Sequence, residues 1–232
     1  GTFEKLDVPP TLVSFAITTE DAKNIVSPEY KAAGHPALWL KPQYRDELPV
    51  KESLLALFAY VHKLVLDGKL ASIYTPTYGG AAEAVLKQCM GNDIGFDFAP
   101  SLSVEDIFGY QYGSFLLELR DAADRDAIYN DPAVKAANII VADLGVTTDN
   151  AEIRYNDETL KLSDLEASYE DKLEKVFSCN MNLDKDTEES AADVTIPDYT
   201  EEEWVAPAIQ VEKPHVLIPV FPGNNCEYDS AK

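Results

Sequence analysis

The alternation of apolar and polar residues predicts a chain that switches repeatedly between strands and helices. Thr11-Leu12-Val13-Ser14-Phe15-Ala16-Ile17-Thr18, after Pro9-Pro10, reads as a buried strand, and Ala37-Leu38-Trp39-Leu40 as a second. From Val50 to Leu66 the apolar positions Leu54, Leu55, Phe58, Val61, Leu64 and Val65 share one helical face, and Gly68 is the stop. Leu70 to Thr75 is strand-like, Gly79-Gly80 form a turn, and Ala81 to Met90 is a helix of small residues. Strands are predicted over Ile94–Phe98 and Gly113–Leu119, the latter apolar enough for a sheet centre.

Asp131 to Ala136 reads as a short helix, Asn138 to Val146 as a strand, and Glu152 to Leu162 as a hairpin turning at Asn156-Asp157. Leu162 to Val176 follows as an amphipathic helix, with Ser163 as N-cap and Glu166 in the capping-box position. No repeat at solenoid or propeller spacing is visible. The mixture predicts an α/β (or α+β) fold, a mixed sheet flanked by helices, over residues 1–180.

Residues 181–213 differ in kind. They carry ten acids against two lysines, with Trp204-Val205-Ala206 the notable apolar cluster. This composition predicts an extended acidic linker; a strap anchored by Trp204 on a neighbouring domain is the alternative. In residues 214–232, His215 to Phe221 reads as a strand, Pro222-Gly223-Asn224-Asn225 as a turn, and Cys226 opens a helix. So apolar a strand belongs inside a parallel sheet, which the chain does not go on to supply. Together with a start at Gly1-Thr2, this leads us to expect a piece of a longer chain.

The 232 residues carry a formal net charge of −22. That field repels phosphate backbones and argues against nucleic-acid binding. No apolar run approaches the ~20 residues that cross a bilayer, and no signal pattern is present. Cys89, Cys179 and Cys226 are widely spaced and odd in number, and His35, His62 and His215 pair with no cysteine or acid at zinc-ligand spacing. A reducing compartment, the cytoplasm, and no metal site are expected.

Several segments in order resemble one family. They are Pro9-Pro10-Thr11-Leu12-Val13-Ser14-Phe15-Ala16, Ile25 to Gly34, Tyr78-Gly79-Gly80-Ala81-Ala82-Glu83-Ala84, Gly91-Asn92-Asp93-Ile94-Gly95 and Phe108 to Phe115. The last is Val216 to Asp229, with Pro222-Gly223-Asn224-Asn225-Cys226-Glu227-Tyr228-Asp229 at its end. Together they resemble large single-chain phosphoribosylformylglycinamidine synthases. The resemblance implies the second C-terminal-type subdomain of the synthetase half, as in aminoimidazole ribonucleotide synthetase, a linker, and the first strand and turn of a glutaminase domain. It also implies the parent reaction: formylglycinamide ribonucleotide, glutamine and ATP give formylglycinamidine ribonucleotide, with ATP and magnesium as cofactors. The implied partners are the N-terminal synthetase subdomains, the glutaminase domain and nucleotide substrates. The family's magnesium ligands, catalytic histidine and glutaminase nucleophile fall outside these residues, so no catalytic residue is expected here.

The turn at Gly79-Gly80 is the candidate ligand site. Backbone N–H groups at a helix start, without a Cβ in the way, can hold a phosphate, and Thr75, Thr77 and Tyr78 add hydroxyls. The bland alternative is a tight turn packed closely on its neighbours. Neither a Walker A motif nor a GxGxxG fingerprint is present. Cys226 lacks a base and an oxyanion site, which disfavours a Cys226-dependent hydrolase. Cys89 falls among apolar helix positions and is expected in the core, while His35 and His62 have no supporting constellation. Asp124/Asp126 and Glu201/Glu202/Glu203 read as solvated charge runs. A stand-alone phosphate-binding module and an inert scaffold remain as rival functions.

Overall fold

The structure is a computed structural model, and it describes residues 2–3, 6–7, 10–175, 211–213, 215–221 and 226–232. Two compact units divide the chain, Gly1–Met181 and Asn182–Lys232.

The first unit is built on a seven-stranded sheet: β1 (Pro36–Lys41), β2 (Leu70–Tyr74), β3 (Gly95–Phe98), β4 (Phe115–Leu119), β5 (Ile140–Thr148), β6 (Glu152–Tyr155) and β7 (Glu158–Lys161). Their spatial order is β7-β6-β3-β5-β1-β4-β2. Only β6 and β3 run parallel; every other neighbouring pair is antiparallel, so the sheet is mixed.

Six helices cover it: α1 (Lys51–Leu66), α2 (Gly80–Met90), α3 (Val104–Phe108), α4 (Ala123–Asn130), α5 (Pro132–Ala136) and α6 (Leu162–Glu174). Strand β1 shows why both faces need covering. Ala37 and Trp39 enter one core with Ala84, Val85, Ile107 and Leu162 of α2, α3 and α6. Leu38 and Leu40 enter the other, with Leu57, Leu64, Ile128 and Val134 of α1, α4 and α5. A strand buried on both sides has no polar alternation. Trp39 keeps its indole N–H satisfied by the Ser114 hydroxyl at 2.9 Å.

Helix α1 ends as expected at Gly68, whose φ of +68° suits a glycine after a helix. Its buried stripe is rotated from the expected one. Leu57, Tyr60, Val61 and Leu64 are buried, while Leu55 and Phe58 are exposed. The β6–β7 hairpin turns at Asn156, with φ +52°. Asp131 caps α5 by accepting the Ala133 N–H at 2.8 Å.

Four expectations need correction. Thr11–Thr18 forms no strand, and Leu12 is 94% exposed. Its β-propensity finds no strand partner among the described residues, and that propensity depends on packing. His215–Phe221 likewise has no strand ladder, and Leu217 is exposed. Helix α6 starts at Leu162 behind Lys161, without a side-chain cap, because the Leu162 N–H is already held by the Ala151 carbonyl at 3.0 Å. Strand β4 lies next to the sheet edge rather than at its centre, but α1, α2 and the segment before β1 bury it all the same.

The capping box that sequence placed at Ser163 occurs instead in α3, where Ser103 and Asp106 bond reciprocally. In the second unit, Glu227–Ser230 forms the short helix expected after Cys226. Trp204, Cys179 and the Glu201–Glu203 run lie outside the described residues.

Candidate functional site

The turn between β2 and α2 is drawn tight by the Gly80 N–H donating to the Thr77 carbonyl at 3.1 Å. Gly80 sits at φ +67°, and a Cβ there would stand 2.7 Å from the Ile107 carbonyl oxygen and 2.9 Å from that of Gly109. The end of α3 therefore presses on this position, and only glycine fits.

Gly79 is the N-cap of α2. Its N–H donates to Glu83 Oε2 at 2.8 Å, and the Thr77 hydroxyl donates to the same oxygen at 3.2 Å. The other carboxylate oxygen accepts from Lys87 Nζ at 2.6 Å. The Lys87 bond, with the Gly79 N–H and the Thr77 hydroxyl behind it, holds the Glu83 carboxyl below its ordinary range. The same bond raises the Lys87 ammonium. Two donors of the predicted turn thus converge on one anionic oxygen, supplied by the protein itself. Glu83 was not singled out from sequence because Glu83 and Lys87 four apart look like an ordinary surface helix pair.

Tyr78 turns the other way. It is 75% exposed, with its ring 5.5 Å from that of Tyr110, which stacks on Tyr112 at 6.0 Å. Thr77 and Gly79 meet at Glu83, whereas Tyr78 joins an aromatic row.

Beside the turn, α2, α3, the β6–β7 hairpin and α6 enclose a cavity of about 510 Å³. Its walls include Leu86, Phe98, Ile107, Ile153, Leu160 and Leu165, and its two acids are Glu83 and Glu158.

A second polar constellation lies inside the α2 side of the sheet. The fully buried Glu118 carboxylate accepts from the Lys31 N–H at 3.0 Å and the Ala32 N–H at 3.3 Å. His35 Nδ1 lies 2.7 Å from it. Gln88 donates to the Pro28 carbonyl and the Ser72 hydroxyl. The Tyr30 hydroxyl and Gln88 Oε1 are buried without a hydrogen-bond partner among the described residues. Burial pushes the Tyr30 hydroxyl and the Cys89 thiol well up. His35 does have a constellation after all, which sequence missed because Glu118 is 83 residues away.

Cys89 is in the core, as expected, and Cys226 is exposed. His62 is exposed, with Nε2 3.4 Å from Glu20. Asp124 is not simply solvated: its carboxylate is largely covered and pairs with Lys69 at 2.5 Å, tying α4 to the start of β2. Asp126 pairs with Arg125 at the surface. Among the described residues no three His, Cys, Asp or Glu side chains gather as a metal site, and no helix is long and apolar enough to cross a membrane.

No family model and no curated protein matches the chain. Solved structures do. The mixed sheet with helices on both faces is the fold they share with this chain. Phosphoribosylformylglycinamidine synthase II from Thermotoga maritima matches with a TM-score of 0.51 at 9% identity, over 61% of this chain and 27% of that one. The same organism's PurL complexed with FGAR matches with a TM-score of 0.51 at 8% identity, over 62% and 30%. The T. maritima PurLQS structure matches with a TM-score of 0.50 at 10% identity, over 61% and 27%. At such identities the likeness is one of fold, and the chain spans about a quarter of the length of these proteins.

Proposed function

We propose that this chain is part of a large single-chain phosphoribosylformylglycinamidine synthase, an ATP-dependent glutamine amidotransferase ligase. In this reading residues 1–180 are the second C-terminal-type synthetase subdomain, 181–213 the acidic linker, and 214–232 the opening of the glutaminase domain. The observation that carries it is the fold likeness of the sheet unit to the T. maritima synthase, joined to the ordered segments quoted from sequence. The parent ligase acts in the cytoplasm on formylglycinamide ribonucleotide, glutamine and ATP. This chain contributes no catalytic residue; it frames a ligand cleft and packs against the N-terminal synthetase subdomains and the glutaminase domain.

Within that role, Thr77, Tyr78, Gly79 and Gly80 form the phosphate-binding turn. The support is geometric. The Gly79 N–H and the Thr77 hydroxyl already converge on one carboxylate oxygen of Glu83, the arrangement a phosphate oxygen requires. Phosphate would take that place with Glu83 swung aside, leaving Lys87 beside the bound anion. The resemblance to that family assigns the magnesium ligands to the N-terminal synthetase subdomains.

The Glu83 contact also favours a second reading, in which the turn is closed by its own carboxylate and the unit is a scaffold. Calorimetric titration with ADP, ATP and formylglycinamide ribonucleotide separates the two. Binding that Thr77→Val weakens and Glu83→Gln strengthens is the expected result. Folded protein that gives no heat at millimolar ligand, in both the wild type and Glu83→Gln, would overturn the phosphate-binding turn and leave the scaffold.

A further inference from the structure

The cavity between α2, the β6–β7 hairpin and α6 calls for chemistry that the neighbouring turn does not provide. We propose that it binds a small amine with an apolar body, the body inside and the ammonium at Glu158. Its volume of about 510 Å³ falls in the range of small-molecule sites. Leu86, Phe98, Ile153 and Leu165 make its walls apolar, and the Tyr155 hydroxyl is already donated to the Leu102 carbonyl at 2.7 Å. The residues around it include two acids and no base.

These two acids differ. Glu83 is occupied by Lys87, Gly79 and Thr77. Glu158 is exposed and forms no ion pair among the described residues. An anionic ligand would face the Glu158 carboxylate, with Glu83 already neutralised by Lys87, on a chain of net charge −22. A neutral one gains only apolar burial. An amine gains that burial and a partner in Glu158, so charge complementarity selects the cation. Gly79 and Glu83 border this cavity too, but the amine's contacts fall on the apolar walls and Glu158, so the proposal does not depend on the phosphate-binding reading.

Three probes sharing one ring test the assignment on the whole 232-residue chain: indole, tryptamine and indole-3-acetate, titrated by calorimetry or chemical-shift mapping. Tryptamine is expected to bind about threefold more tightly than indole, the gain of one exposed ion pair, and indole-3-acetate to bind most weakly. Glu158→Gln should bring tryptamine down to the level of indole and leave indole unchanged. Ala82→Phe, which fills the cavity, should weaken indole and tryptamine at least about tenfold, with circular dichroism confirming the fold. If that variant fails to fold, Leu160→Arg at an exposed wall position replaces it, and should reverse the preference from tryptamine to indole-3-acetate. Equal affinities for the three probes, no binding at millimolar concentration, or tryptamine binding untouched by Glu158→Gln would each overturn the proposal.

Discussion

His35 Nδ1 lies 2.7 Å from Glu118 Oε1, joining the loop before β1 to a carboxylate buried on β4. The same carboxylate accepts the N–H groups of Lys31 and Ala32, so one side chain fixes the path of residues 31–35. Ser72 and Ala37 flank Glu118 on the two neighbouring strands, and Glu118 is fully buried.

Glu118→Ala therefore removes the shared partner of the half-buried Lys31 and Ala32 N–H groups and of His35 Nδ1. It should cost about 1–3 kcal/mol, the range for leaving a covered polar group without its partner. Glu118→Gln retains one acceptor oxygen and should cost less. Urea denaturation of both variants checks the order; equal midpoints for wild type and Glu118→Ala would refute it.

Gly80→Ala places a Cβ within 2.7 Å of the Ile107 carbonyl at a positive φ. The backbone conformation alone penalises an L-residue by ~1–2 kcal/mol, and the contact with fixed backbone adds to it. The expected loss of stability is at least about 2 kcal/mol. At Gly79 the opposing atoms belong to the Glu83 side chain, which can move. Gly79→Ala should therefore be milder, and paired thermal melts would show it.

Acid should weaken the α2 start. The Glu83 carboxyl is lowered from its ordinary 4.5, chiefly by Lys87. A depressed folded pKa contributes stability above the unfolded value, and that contribution is lost as pH falls through the folded one. Stability should thus decline as pH falls below about 4.5, and Glu83→Gln should flatten that part of the profile. Denaturant midpoints measured across this window provide the comparison; parallel profiles for the two proteins would count against the linkage.

Cys89 is fully buried and its thiol is pushed up by burial, whereas Cys226 is exposed. Alkylation requires the thiolate. Iodoacetamide at pH 8 should label Cys226 in the native protein and Cys89 only after denaturation. Peptide mass mapping reads both, and prompt labelling of Cys89 in the native state would contradict its place in the core.

Much of the architecture was legible in the sequence by itself. The apolar run Ala37–Leu40, the α1 region and its stop at Gly68, the turn at Gly79-Gly80 and the hairpin at Asn156 are local patterns, and each appears where it was expected. Local signals persist because backbone preference and apolar periodicity act over a few residues. The sequence also determined the fold class, since strands alternating with amphipathic helices can bury their faces in few ways.

Tertiary structure decided the rest. Thr11–Thr18 and His215–Phe221 have the composition of strands but lack a ladder, because strand formation needs a partner that a local window cannot show. The Leu162 N–H was claimed by Ala151, which moved the start of α6 away from its predicted cap. Gly80 is glycine because α3 presses on it, and His35 gained its partner from 83 residues away. Glu83 became the centre of the turn only when folding brought the Gly79 N–H and the Thr77 hydroxyl to the same oxygen. Hydrogen bonds and close contacts act over a few ångströms, so distant residues reveal these pairings only once the chain has folded.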